Sequence, residues 1–77
     1  MIVRLENTSK IVELKTETGV VPARIWEGTT ERGIKVHAYI TRIAVSARDD
    51  ASEFELALQE CRAPSAEVAA LPSRLVL

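Results

Sequence analysis

The sequence has few of the residues that build disulfides, metal sites and aromatic cores. Cys61 is the single cysteine, so no disulfide can form within the chain, and one histidine provides no Cys/His metal set of ordinary spacing. This cysteine usage predicts a cytoplasmic protein. Only three aromatic residues occur among 77, so we expect a core made mostly of Val, Ile, Leu and Ala.

Long apolar runs and clustered glycines are also missing. No window approaches the roughly 18 apolar residues that a membrane span needs, and Arg4 interrupts the first apolar residues too early for a signal peptide. The three glycines are isolated and open no helix, so the sequence predicts no phosphate-binding loop and no nucleotide cofactor. We therefore expect a single domain over residues 1–77 with no cofactor, no metal and no membrane partner.

What is present is typical of a small globular protein. Hydrophobic residues make up 47% of the chain and charged residues 27%, which argues against disorder. A chain of 8.5 kDa should expose roughly 4,700 Å² when folded and bury about 60% of its extended surface, so self-association would add useful stability. The net charge of −1 does not indicate a dedicated nucleic-acid binder.

The charge is divided unequally along the chain. Residues 1–48 carry eight basic and five acidic side chains, a balance of +3, whereas residues 49–77 carry two basic and six acidic ones, a balance of −4. The basic half also contains the strand-like patterns. Short apolar runs at 2–5 and 10–15, separated by turn-forming residues 6–9, predict two strands. Gly19 then follows in a predicted turn that suits a positive φ.

Residues 20–45 predict a β-hairpin, because two alternating apolar runs flank a compact turn at 30–33. A four-residue loop ending at Gly33 would place Ile25 opposite Ala38 and Trp26 opposite His37. The pattern changes phase at 41–42, which suggests a bulge that lets the second strand continue to residue 45. Pro22 lacks an amide donor, so the first hairpin strand is expected either to lie at an edge or to begin its ladder beyond that residue.

The period becomes helical after Asp49. Apolar residues recur at spacings of three and four up to Cys61, Asp50 can cap the first turn, and Pro64 should end the helix. Cys61 then falls on the apolar stripe, where a structural role is expected. Residues 65–71 suggest one short helical turn, and 74–77 a last strand. The predicted fold class is α+β, with an antiparallel or mixed sheet of about four to five strands and one main helix packed on one face.

Three stretches carry a resemblance to known sequences: ARIWEGTT at 23–30, ITRIA at 40–44 and APS at 63–65. With these stretches the chain resembles an uncharacterised family of short bacterial proteins, a kind common in mobile elements such as integron cassettes. The resemblance covers about two thirds of the chain. It implies a bacterial, mobile-element origin, and it supplies no activity and no catalytic residue.

The predicted hairpin gathers cations and aromatic rings on its polar face. The candidate interaction surface consists of Arg24, Trp26, Lys35, His37 and Tyr39. Such a face can stack bases and contact phosphates, as in proteins that bind single-stranded nucleic acid. It can equally pack against another element or a second subunit, or remain solvated.

Other polar groups suggest little chemistry. His37 beside Glu27 or Glu31 resembles an acid/base pair, yet no Ser or Cys has the context of an activated nucleophile. Asp49 and Asp50 lie where a helix needs a cap, which explains them better than metal binding does. We therefore expect no enzyme and no catalytic residue.

The sequence predicts a small protein that acts through protein contacts and forms a homodimer. Its interface would be a strand edge or the sheet face that carries Trp26, because the aromatic residues lie off the predicted core face. In another arrangement, the acidic helix of one copy would contact the basic sheet of its neighbour. The alternative function is single-stranded nucleic-acid binding through Arg24, Trp26, Lys35, His37 and Tyr39.

Overall fold

The computed structural model describes residues 1–76, which form a four-stranded mixed sheet with two short helices. The elements are β1 (Val3–Thr16), β2 (Gly19–Thr30), β3 (Lys35–Ile40), α1 (Ala51–Leu58), α2 (Ala66–Ala69) and β4 (Arg74–Val76). The strand order is β3-β2-β1-β4, and β4 pairs parallel to β1 while the other pairs are antiparallel. The predicted mixed sheet is confirmed, but the fold is mostly β and fits the α+β class only loosely.

The first 16 residues form one long strand instead of the predicted two. Residues 6–9, which were predicted to form a turn, lie within β1. The register with β2 is irregular here, because the three residues between Asn7 and Ile11 lie opposite the single residue Ile25. Thr8 is buried there, and its hydroxyl donates to the Ile25 carbonyl at 2.6 Å. The Arg24 guanidinium donates to the Thr8 carbonyl at 2.8 Å. Because side chains bond these backbone carbonyls, β1 absorbs the extra residues without turning back.

The register of the β2–β3 hairpin differs from the predicted one by one residue. The Thr30 amide donates to the Ile34 carbonyl at 3.0 Å, so Thr30 belongs to β2 and the loop has three residues. Gly33 takes the expected positive φ, at 79°. Ile25 pairs with Tyr39 and not with Ala38. The predicted register is therefore wrong, and the shift moves every β3 side chain to the other face of the sheet.

Strand β3 is shorter than predicted, because it ends at Ile40 and residues 42–46 have no regular structure. No bulge forms at residues 41–42. Pro22 lies in β2 beyond the end of β3, opposite Glu13. The Glu13 amide donates outward to Ser73, so this is a non-hydrogen-bonded pair and the Pro22 nitrogen faces away from β1. The prediction that this strand lies at an edge is wrong, because β2 lies between β1 and β3. Its alternative is confirmed for the pairing with β3, which begins at Arg24, beyond Pro22.

A small aliphatic core lies between one face of the sheet and α2. Its buried members are Val12, Leu14, Ala23, Ile25 and Val68, with Leu71 and Leu75 packed against them. We call the sheet face that contributes to this core the Ile25 face and the opposite one the Trp26 face. The prediction of a core made mostly of Val, Ile, Leu and Ala is confirmed. The core is small because α2, with four residues, covers only part of the Ile25 face.

Helix α1 begins where it was predicted to begin and ends earlier. The Asp50 carboxylate accepts from the amides of Ser52 and Glu53 at 2.9 and 3.3 Å, which confirms the predicted cap. The helix ends at Leu58, six residues before Pro64, and buries no side chain. The predicted packing of the main helix on the sheet is therefore wrong in one respect: α2, not α1, supplies the buried residue.

The segment after α1 is extended because it runs beside β1. The Arg62 amide donates to the Asn7 carbonyl, and the Ser9 amide donates to the Arg62 carbonyl, at 3.1 and 3.0 Å. This backbone pairing with β1 takes the place of the last helical turn. Cys61 is consequently exposed, so its predicted place on a buried helical stripe is wrong.

The C-terminal predictions hold for the residues that the structure describes. The predicted helical turn is α2, capped by the Ser65 side chain, which accepts from the Val68 amide. Strand β4 pairs within its own chain, through register partners Glu13 and Arg74 at its start. Leu77, the last residue of the predicted strand, lies outside the described residues. Neither helix in residues 1–76 has the length and apolar character required to cross a membrane.

Candidate functional site

The five residues of the predicted interaction surface lie on two opposite faces of the sheet. Lys35, His37 and Tyr39 are on the Ile25 face, because their register partners in β2 are Thr29, Glu27 and Ile25. Arg24 and Trp26 alternate with Ile25 along β2 and therefore lie on the Trp26 face. The grouping of all five on one face is wrong, and the one-residue register shift is the reason.

Trp26 points away from the buried core, as predicted, but its ring is half-buried. Its register partners are Asn7 in β1 and Ala38 in β3. The Asn7 side chain donates to the Leu58 carbonyl at 2.7 Å, so the end of α1 is fixed on this side of the sheet. Arg24 is held by its bond to Thr8. Arg24 is thus already bonded to the chain's own backbone, and Trp26 is partly covered.

An open groove of about 700 Å³ lies on the Ile25 face beside the start of α2, where the core does not extend. Its floor is formed by two cross-strand rows, Arg4–Thr29–Lys35 and Glu6–Glu27–His37. The wall opposite the sheet includes Arg62 and Ser65. Acidic and basic side chains are mixed in the groove, so it has no strong charge of one sign.

Glu27 is the most tightly bonded side chain in the groove. Its carboxylate accepts from the Ser65 hydroxyl at 2.6 Å, the Ser65 amide at 2.8 Å and the Arg62 guanidinium at 3.3 Å. The two Ser65 hydrogen bonds and the Arg62 charge lower the pKa of Glu27 below its ordinary value. Glu27 thereby fixes the segment before α2 to the sheet. Sequence reasoning missed this role, because Ser65 is 38 residues away and no local pattern joins the two.

The acid/base hypothesis pairs residues that are neighbours but hydrogen-bond elsewhere. Glu27 and His37 are direct cross-strand partners, as that hypothesis required. The Glu27 carboxylate bonds to Ser65 and Arg62, whereas His37 Nε2 lies 3.1 Å from the Tyr39 hydroxyl. The Glu27 carboxylate is therefore committed to holding the chain together and is not positioned to orient the imidazole.

The outer edge of β3 is the other notable feature. In residues 1–76 no strand pairs with this edge, since β3 is the first strand in the sheet order. The Thr30 amide donates to the Ile34 carbonyl where the hairpin closes, so alternation directs the backbone groups of Lys35, His37 and Tyr39 outward. The His37 and Tyr39 rings pack edge to face with centroids 5.4 Å apart.

The described residues contain no group of three or more His, Cys, Asp or Glu side chains placed to hold a metal ion. Glu31, the other acid considered beside His37, instead accepts from the Ile2 amide at 2.8 Å.

Comparisons with protein-family models, curated proteins and solved structures find no match to this chain. The resemblance to short bacterial proteins therefore stays a prediction.

Proposed function

We propose that this chain is a cytoplasmic homodimer that acts through protein contacts and not through catalysis. The observation that supports the proposal is the mismatch between the size of its surface and the size of its core. The single chain exposes 6043 Å², whereas a compact chain of this mass exposes roughly 4,700 Å². Its radius of gyration is 13.7 Å, against about 11.5 Å for a compact domain of this length.

The excess surface is large enough for a stable interface. A standard protein interface buries roughly 800 Å² on each partner, and the excess here is larger than that. Large apolar side chains are part of it: Ile34 is 60% exposed and Ile11 54%. Five buried apolar residues form the core of the described chain, so a second copy would supply apolar contacts that the single chain lacks.

The nucleic-acid alternative receives less support from the geometry. A stacking surface needs its rings and cations on one face, and the sheet separates Trp26 and Arg24 from Lys35, His37 and Tyr39. The three residues that remain together include one lysine and one histidine. With a net charge of −1, the chain has no general attraction to phosphates that would offset this division.

The proposal is tested by the dependence of the thermal unfolding midpoint on protein concentration. Because association stabilises the folded state by mass action, the midpoint of a homodimer rises over about a 100-fold increase in concentration. The measurement is made under reducing conditions, with Cys61→Ser as a matched control, so that a disulfide through the exposed Cys61 cannot imitate association. A midpoint independent of concentration in both proteins would contradict the proposal.

A further inference from the structure

We infer that two copies of this chain join through β3, whose outer edges pair antiparallel about a two-fold axis at His37 and make one continuous eight-stranded sheet. The inference rests on the proposed homodimer and specifies its interface. Two-fold homodimers are the commonest soluble oligomers, and a strand edge is self-complementary under that symmetry. Adding a strand to an exposed edge is also a common mode of protein recognition.

Within residues 1–76 the edge of β3 has no strand partner, and it lacks the usual obstacles to pairing. It contains no proline and no described bulge, and its six residues pair regularly with β2. The β4 edge is shorter, with three residues, and the outer side of β1 is occupied by β4 and by the bridge between Thr8 and Arg62. Among the described strands, β3 therefore offers the longest unpaired row of backbone groups.

The register follows from which backbone groups point outward. Lys35, His37 and Tyr39 are the three outward residues of β3. With the axis at His37, Lys35 lies opposite Tyr39 of the second copy and His37 opposite its own equivalent, so all three outward residues enter hydrogen-bonded pairs. If the axis lay at Val36 or Ala38, only two of the three outward residues would enter hydrogen-bonded pairs. The register that uses most donors and acceptors is therefore the one at His37.

Side chains on both faces agree with this register. On the Trp26 face, Ile34 meets Ile40 of the second copy and Val36 meets Ala38, so apolar residues face apolar residues. On the Ile25 face, the Lys35 ammonium lies beside a Tyr39 ring, a favourable cation–π arrangement, and not opposite another lysine. Lys35 is the usual kind of residue that protects a strand edge, yet in this register its charge has a compatible neighbour.

Cysteine cross-linking tests both the edge and the register, in the Cys61→Ser background. Hydrogen-bonded partners in an antiparallel pair have Cα atoms about 5.5 Å apart, within the range of a disulfide. His37→Cys should therefore form a covalent dimer under mild oxidation. Thr29→Cys, exposed on the same face but one strand inward, is the matched control and should stay monomeric on a denaturing gel.

Proline substitution provides an independent measurement of the same inference. His37→Pro removes an amide that faces outward, so the β2–β3 ladder stays intact while pairing with a second copy is blocked. It should give a folded monomer by circular dichroism and light scattering. Ala38→Pro, whose amide faces β2, should instead disrupt the hairpin itself and lower the unfolding midpoint of the chain.

Each result has one meaning. Cross-linking at His37→Cys together with a folded His37→Pro monomer supports the inference. Cross-linking at Val36→Cys or Ala38→Cys but not at His37→Cys would overturn the register. A concentration-dependent unfolding midpoint without any β3 cross-link, and a His37→Pro protein that still dimerises, would overturn the edge while leaving the homodimer. A monomeric wild-type chain would overturn both.

Discussion

Replacing Glu27 by Gln should destabilise the chain by about 2 kcal/mol at pH 7. Gln keeps the size of the side chain and one acceptor oxygen but removes the charge. Hydrogen bonds to a charged group contribute roughly 1 kcal/mol more than neutral ones, and the two Ser65 bonds, at 2.6 and 2.8 Å, carry most of this difference. The Arg62 pair adds little, because that guanidinium is 40% exposed and also contacts Glu6.

The effect of Glu27→Gln should disappear in acid. The pKa of Glu27 is lowered in the folded chain, so the carboxylate contributes its full stability above its ordinary pKa of about 4.5. That contribution is lost as the pH falls through the lower folded value. Unfolding in urea, followed by Trp26 fluorescence at fixed protein concentration, gives the free energy of unfolding at pH 7 and near pH 3.

The matched control is Glu17→Gln, an exposed carboxylate in the β1–β2 turn, which should change the free energy of unfolding by less than about 0.5 kcal/mol. The difference in stability between wild type and Glu27→Gln should be largest at pH 7 and should shrink as the pH falls below about 4.5. If Glu27→Gln is as stable as the control variant at pH 7, the Ser65 hydrogen bonds do not stabilise the fold as proposed. A difference that persists undiminished in acid would refute the assigned role of the charge.

Three further predictions follow from the fold. Gly28→Ala should lower the free energy of unfolding by about 3 kcal/mol or more, because the new methyl would overlap the Arg4 carbonyl. Gly33→Ala, where φ is 79° and the space is open, should lower it by about 1 kcal/mol, and equal unfolding midpoints for the two variants would contradict this. Trp26→Ala should reduce stability by about 2 kcal/mol without changing the mass in solution, and a folded monomer would place the interface on the Trp26 face. In gel shifts with short single-stranded RNA and DNA at low salt, high micromolar protein should cause no retardation, whereas a shift would favour the nucleic-acid alternative.

Local signals in the sequence were sufficient for much of the fold. The positive φ of Gly19 and Gly33, the Asp50 cap and the helical turn after Ser65 each depend on a few adjacent residues, and all were predicted correctly. These features are local because turns and caps bond within three or four residues of themselves. The last strand was also predictable, since the apolar residues Leu75 and Val76 favour docking into the sheet.

The errors have a different cause, because each depends on contacts between distant residues. Composition at 6–9 favours a turn, but Thr8 bonds to Ile25 across the sheet and keeps β1 continuous. The helix stops at Leu58 because Arg62 pairs with β1, a contact that helical periodicity cannot reveal.

The candidate site was only partly predictable for the same reason. The hairpin loop is one residue shorter than expected because Thr30 stays in β2, and this single residue divides the predicted surface between two faces. Its members Lys35, His37 and Tyr39 remain together at the β3 edge. The Glu27–Ser65 contact joins residues 38 apart, so no sequence pattern indicated it.

The molar mass of the reduced chain in solution, measured by light scattering at tens of micromolar, tests the central claim most directly. We expect a molar mass of twice the 8.5 kDa of the chain. A uniform species of 8.5 kDa would contradict it, because the large exposed surface would then belong to a stable monomer.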